Sequence, residues 1–160
     1  MMGVAGCGKS SLARVLAQHH GYAWIEGDDF HSEANLAKMS QGVALTDEDR
    51  SDWLSQLSHE LQRHSDDVVL TCSALKKSYR DRLRQSDPSL KFIFLKIDKA
   101  QALRRVIARS TTHFFHADLV DNQFATLESP IGESQVLELD ATQPLETLRE
   151  QAANWLQASM

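Results

Sequence analysis

Two cysteines in 160 residues are too few for a disulfide framework, and Cys7 and Cys72 lack the spacing of a metal site. Cys7 reads as a variable loop position and Cys72 as a buried strand end. No apolar run approaches the roughly 18 residues of a membrane span, and the N-terminal stretch lacks the basic and apolar regions of a signal peptide. Nor is there an excess of positive charge. With 17 Lys and Arg against 22 Asp and Glu the net charge is −5, which argues against a general nucleic-acid surface and confines any anion site to a local cluster. Internal repeats and low-complexity tracts are also missing. A composition that is 42% hydrophobic suits one domain over residues 1–160, with a cytoplasmic enzyme as the default class.

The chain does have, almost at once, the stretch GVAGCGKSS from Gly3 to Ser11. It fits G-x-x-x-x-G-K-[ST], with Gly3, Gly8, Lys9 and Ser10 on the fixed positions. Glycines let successive backbone N–H groups turn inward, and the helix that follows aims its positive end at the same spot. Gly3, Ala5, Gly6, Cys7, Gly8, Lys9, Ser10 and Ser11 are therefore nucleotide-binding candidates, with Lys9 on the β/γ-phosphates and the Ser10 hydroxyl on Mg²⁺. Leu12, Val15, Leu16 and His19 continue at helical spacing, and Gly21 supplies a stop. Such a loop normally follows a strand, which only Met1 and Met2 represent. The expectation is a natural start further upstream and, in this form, an open slot in mid-sheet or a segment borrowed from another chain.

Short apolar strands then alternate with amphipathic helices. Strands are predicted at Tyr22–Ile25, in DVVLTC, at Lys91–Ile97 and at Gln135–Leu139. Helices are predicted around Ser32–Met39, from Thr46 through Leu61, at Lys76–Gln85, Ala100–Arg109, Ala117–Leu127 and from Pro144 onward. Alternation of this kind predicts a parallel sheet with helices on both faces. In open α/β sheets the ligand lies beyond the carboxyl ends of the strands. There stand Asp28, Asp29 and His31, then Ser73, Lys76, Lys77 and Arg80, then Asp140 and Gln143. Any one of these reads as a solvated loop charge; together beside a phosphate loop they supply what phosphoryl transfer needs. Asp28 would orient the acceptor hydroxyl or take its proton, and Arg50, Lys76 and Arg80 would face an anionic part of the acceptor. Lys77 and Asp81 fit an i,i+4 helix pair. Arg104, Arg105, Arg109 and His113 border the break at Ser110–Phe115, as in a lid that brings cations to phosphates and excludes water.

The phosphate loop, EGDDFH, NLAKMSQGVALTDEDR followed by Trp53, CSALKKSYRDRLR, HFF, QFATLESP and DATQPLE together resemble the bacterial gluconokinase family of small P-loop kinases, which phosphorylate D-gluconate at its 6-hydroxyl. The resemblance spans nearly the whole chain in order. It implies an α/β P-loop fold related to shikimate and adenylate kinases, with a five-stranded parallel sheet, the strand before the phosphate loop central, and often a homodimer. It implies ATP and Mg²⁺ as cofactors, and an acceptor segment at about 31–55 with a lid at about 109–116. Asp28 would carry the acceptor-side carboxylate, with Lys9 and Arg109 beside it in catalysis. His31, Arg50, Lys76, Arg80 and His113 would contact gluconate, Arg105 the nucleotide, and the loop from Asp140 through Gln143 to Pro144 would lie near adenine. Where the family usually has Gly before the lid His-Phe, Thr112 stands here, with one residue more after the lid Arg. A P-loop kinase of another small hydroxy acid, or a nucleotide-binding protein without turnover, remain the alternatives.

Overall fold

The structure, a computed structural model, describes residues 1–109 and 117–160. His113 and most of the expected lid therefore lie outside the described residues. The described residues hold four parallel strands: β1 Ala23–Glu26, β2 Val68–Thr71, β3 Phe92–Lys96 and β4 Val136–Asp140. The helices are α1 Lys9–His20, α2 Glu33–Ser40, α3 Asp47–Arg63, α4 Lys77–Ser86, α5 Lys99–Ala108, α6 Ala117–Thr126 and α7 Leu145–Ala158. Local chemistry sets several of these bounds. Gly21 ends α1 in the left-handed region at φ 72°, where a residue without Cβ is unstrained. Thr46 opens α3 through a capping box with Asp49.

Strand β1 pairs with β2 and β3 with β4, as two separate parallel ladders. Between them runs the N-terminus. Met2 bridges to Phe94, its N–H bonding the Ile93 carbonyl and its carbonyl accepting from Leu95. On the other side Met1 accepts from the Cys72 N–H, and its ammonium donates to the Leu70 carbonyl at 2.8 Å. Met1 and Met2 thus occupy the position of a central strand joining the two ladders. Behind them lies a cavity of about 860 Å³, lined among others by Leu16, Val69, Leu70, Phe92, Ile93 and Trp155. This is the open mid-sheet slot that the sequence led us to expect.

Alternation along β3 divides the core. Ile93, Leu95 and Ile97 pack with Leu12, Val106, Val120 and Leu148 from α1, α5, α6 and α7. Phe92 and Phe94 face the other way, toward Trp53, Leu54, Leu57, Tyr79 and Leu83 of α3 and α4. Successive side chains of a strand point to opposite faces, so one apolar run serves both helical layers. Gly27 shows how closely the carboxyl ends are packed: a Cβ there would sit 2.0 Å from the Thr71 carbonyl oxygen. The turn carrying Asp28 is thereby pressed against the end of β2.

Candidate active site

The phosphate loop folds over the end of β3 and the first turns of α1 and α5. Gly3, Gly6 and Gly8 all have positive φ, and a Cβ on Gly6 would meet the Ala102 carbonyl oxygen at 2.7 Å. Only glycine fits that approach. Gly8 caps α1 from the left-handed region, so the loop runs directly into a helix whose first N–H groups have no helical acceptor. Lys9 Nζ lies over this loop, donating to the carbonyls of Gly3 at 3.0 Å and Val4 at 3.1 Å. Ser11 is exposed on α1, while Cys7 is buried beneath the loop. The Ala5 N–H is taken by the Gln123 side chain at 2.7 Å.

Two of the expected nucleotide contacts meet on the far side of the loop. The Arg105 guanidinium donates to the carbonyls of Gly6 and Cys7 and, at 2.9 Å, to that of Ala141. It ties the phosphate loop to the turn after β4, where Gln143 N–H bonds the Asp140 carbonyl. Arg109 is the C-cap of α5, beside the undescribed segment.

On the near side, the Ser10 hydroxyl donates to Glu26 at 2.6 Å, and Thr71 Oγ1 donates to the other Glu26 oxygen. Glu26 ends β1 and leads into Gly27-Asp28-Asp29-Phe30. The Trp53 indole N–H donates to the Gly27 carbonyl at 2.7 Å, and His31 stacks on the Trp53 ring at 4.3 Å. Residues 26–31 therefore form a partition, with the phosphate loop on one side and the start of α3 on the other. Asp28 is exposed on it, its Oδ1 3.7 Å from His31 Nε2. Burial pushes the His31 pKa down, and Arg50 pushes the same way against the pull of Asp28. The ring is neutral at neutral pH.

Arg50 is buried on α3, and its Nη1 donates to the Tyr79 hydroxyl at 3.3 Å. Among the described residues it forms no ion pair. Lys76 Nζ, also near the Tyr79 ring, grips both oxygens of Asp47 at 2.9 and 3.0 Å. The Tyr79 hydroxyl donates to Asp47 as well. Hydrogen bonds from Tyr79 and then Lys76 hold the Asp47 carboxyl below the usual range.

Arg80 is placed differently from expectation. It is fully buried, bonded through Nε and Nη2 to Glu133 and through Nη1 to the carbonyls of Ala74 and Leu75. Ala74 has φ 45°, a left-handed conformation that costs a non-glycine residue energy. Arg80 thus organises the loop that presents Lys76, and its donors are spent on protein rather than left for an acceptor. Lys77 pairs with Asp81 at 2.6 Å, the helix-surface pair expected from their spacing. Cys72, its thiol pushed up to about 12 by burial, is an inert core group.

Glu26, Asp47, Tyr79, Gln123 and Glu133 were not singled out from the sequence. For Tyr79 a signal existed, since Lys76, Tyr79 and Arg80 fall at i, i+3 and i+4. Asp47 and Arg50 likewise share one helix face. Gln123 and Glu133 come from the far end of the chain and gave no local sign.

The arrangement sets a phosphate cradle, a carboxylate on the partition and a cluster of cations beside one another. A sequence profile described as AAA domain matches residues 1–130. The thermoresistant gluconokinase of Escherichia coli (strain K12) is 42% identical over 150 residues, covering 91% of this chain and 85% of that protein. The gluconokinase of Gluconobacter oxydans (strain 621H) is 38% identical over 162 residues, with coverage of 99% and 90%. The crystal structure of a gluconokinase from Sinorhizobium meliloti 1021 superimposes with a TM-score of 0.89 at 41% identity, covering 99% of this chain and 90% of that one.

Proposed function

This chain belongs to the gluconokinase family of P-loop kinases, and from that premise we propose that it transfers the γ-phosphoryl group of ATP to the 6-hydroxyl of D-gluconate, in the cytoplasm and with Mg²⁺. Among the described residues no helix is long and apolar enough to cross a membrane. One observation carries the choice of acceptor. Arg50 is a buried guanidinium with a neutral phenol as its hydrogen-bond partner and, among the described residues, no carboxylate in ion-pair contact. A buried charge is costly unless paired, and a guanidinium offers five donors in a fork that matches a carboxylate. An acid whose carboxylate completes Arg50 is the ligand that this cluster lacks.

The remaining roles follow from position. Lys9, parked on the carbonyls of its own loop, is within reach of phosphates bound there and would stabilise the charge of the transferring group. Asp28 is exposed toward the acceptor side and would orient the 6-hydroxyl and accept its proton. Ser10 and Glu26 are paired hard oxygen donors, the kind that hold Mg²⁺ while it keeps part of its water shell. The ion would neutralise charge on the β- and γ-oxygens. Neutral His31, fixed on Trp53, would bound the acceptor site and hydrogen-bond a sugar hydroxyl. Arg105 and Gln143 would border the nucleotide, and Arg109 the phosphates.

The test is a coupled ADP-release assay with D-gluconate, shikimate and AMP as acceptors. Turnover with gluconate alone is the expected result, and Arg50→Ala should raise the gluconate KM while leaving kcat nearly unchanged, since a carboxylate contact is made in ground and transition state alike. Turnover with another acceptor only, or ATP binding without turnover, would overturn the proposal.

A further inference from the structure

We propose that Tyr79 and Asp47 are positioning residues that set the binding of the acceptor's carboxylate by fixing Arg50. The inference rests on the reading of Arg50 given above and extends it to two residues that need not touch the substrate.

A phenol has one proton to give and lone pairs to offer. At Tyr79 the two neighbours of the hydroxyl leave no choice of direction. Asp47, whose carboxyl is held ionised, can only accept, so the proton goes to it. Arg50 can only donate, so it receives a lone pair, at 3.3 Å from Nη1. Burial and the Asp47 contact both raise the Tyr79 pKa, which keeps the hydroxyl protonated through the neutral range. Lys76 closes the other end of the chain by holding both oxygens of Asp47. The order Lys76–Asp47–Tyr79–Arg50 is thus a directed chain of hydrogen bonds, charged at both ends. Its members come from the start of α3 and the start of α4, so it also locks these two helices in register.

The consequence concerns the guanidinium. Nη1 is anchored by one bond, and the Tyr79 ring lies against it with its centroid 5.7 Å from the guanidinium carbon. Among the described residues the Arg50 side chain forms no other hydrogen bond and no ion pair. The remaining donors are therefore held ready in one orientation, which lowers the ordering cost of binding a carboxylate. Without the phenol oxygen, Arg50 keeps its charge and its burial but loses the bond that aims it. Without the Asp47 charge, the Tyr79 proton is free to turn toward Arg50, and the lone pair is withdrawn.

The experiment is steady-state kinetics on Tyr79→Phe, Asp47→Asn, Arg50→Ala and the double variant Arg50→Ala/Tyr79→Phe. For Tyr79→Phe the gluconate KM should rise roughly three- to tenfold, the scale of one hydrogen bond, with kcat and the ATP KM within about twofold. Asp47→Asn should shift KM in the same direction. The double variant should be no worse than Arg50→Ala alone, because the phenol acts through the guanidinium. Additive losses in the double variant, or a fall in kcat at unchanged KM, would mean a merely structural role and overturn the inference. If Tyr79→Phe does not fold, Asp47→Asn carries the test, since Asp47 is exposed. An Arg50→Ala variant with unchanged KM would instead overturn the underlying assignment of Arg50, a result distinct from either.

Discussion

Extending the chain ahead of Met1 by about four apolar, β-branched residues should stabilise the protein strongly, because the register of Met1 opposite Thr71 and Met2 opposite Phe94 leads such a segment between Val69–Leu70 and Phe92–Ile93. Strand alternation aims the N–H of Leu70 and of Ile93 into the cavity, where an added strand would supply carbonyls. Each side chain removed from water contributes about 1.5–3 kcal/mol, and about four ladder hydrogen bonds contribute about 1 kcal/mol each. Ordering each added residue costs about 1.5–3 kcal/mol, which offsets most of the burial. A further term is electrostatic. The Met1 ammonium is pushed down from 8.0 to about 6 by burial, and replacing it with a peptide N–H removes a penalty of about 1.4 kcal/mol at pH 7. The net gain is about 5 kcal/mol, or roughly 10–20 °C in Tm for a domain of this size. The pH dependence separates the terms. A group whose folded pKa is depressed contributes stability that is fully present above its unfolded pKa and lost as pH falls through the folded value. The 160-residue form should therefore lose stability from pH 8 to pH 6, and the extended form should not lose this part. Thermal denaturation of both forms at pH 6, 7 and 8, with gluconate turnover alongside, is the measurement. Equal Tm values across that range would refute the reasoning.

Lys9→Ala and Asp28→Asn should each leave the fold intact by circular dichroism and cut gluconate phosphorylation by about two orders of magnitude or more; near-full activity in either would remove that residue from its role. Ser10→Ala should raise the Mg²⁺ concentration needed for half-maximal activity, measured by titrating the ion at fixed ATP, and an unchanged requirement would discount the hydroxyl as a ligand. Arg80→Met leaves Glu133 with Arg84 alone and takes the guanidinium donor from the Ala74 and Leu75 carbonyls, and should cost about 1–3 kcal/mol in urea unfolding, whereas Lys77→Met, which breaks an exposed pair, should cost less than about 0.5 kcal/mol; equal costs would contradict the distinction between them. His31→Phe should flatten any stability loss between pH 6.5 and lower pH, because the depressed pKa of this imidazole makes its share of stability present above 6.5 and lost below.

Elements of the fold were legible where one physical cause dominated. The alternation of apolar strands with 3.6-period helices set the order of elements, and Gly21, Thr46 and Pro144 marked ends because φ > 0, a side-chain acceptor and a missing N–H each act within a few residues. The division of the core was less visible. An uninterrupted run such as Phe92-Ile93-Phe94-Leu95 says that both faces are buried, yet which helix covers which face depends on crossover connections far apart in sequence. The mid-sheet cavity was foreseeable for a different reason: the phosphate loop requires a strand behind it, and the glycines that identify the loop stand at positions 3, 6 and 8.

For the site, the sequence placed most readily the residues whose environment follows from their own segment. Arg80 was not among them. Its sequence context, a cation on the same helix face as Lys76, is that of a ligand contact, and what removes it is Glu133, more than fifty residues away, together with carbonyls of a loop strained at Ala74. Arg50 and Arg80 are two buried guanidiniums with opposite fates, and the difference lies in their partners. A carboxylate bonded to Nε and Nη2 satisfies Arg80 within the protein, so its burial stabilises one conformation of the loop before Lys76. A single phenol oxygen leaves Arg50 short of a counter-charge among the described residues, and for that reason we propose that it receives the carboxylate of the acceptor. Charge alone cannot separate the two cases, nor can spacing. What decides is whether the fold spends the cation's donors on itself or holds them for an anion that arrives from solution.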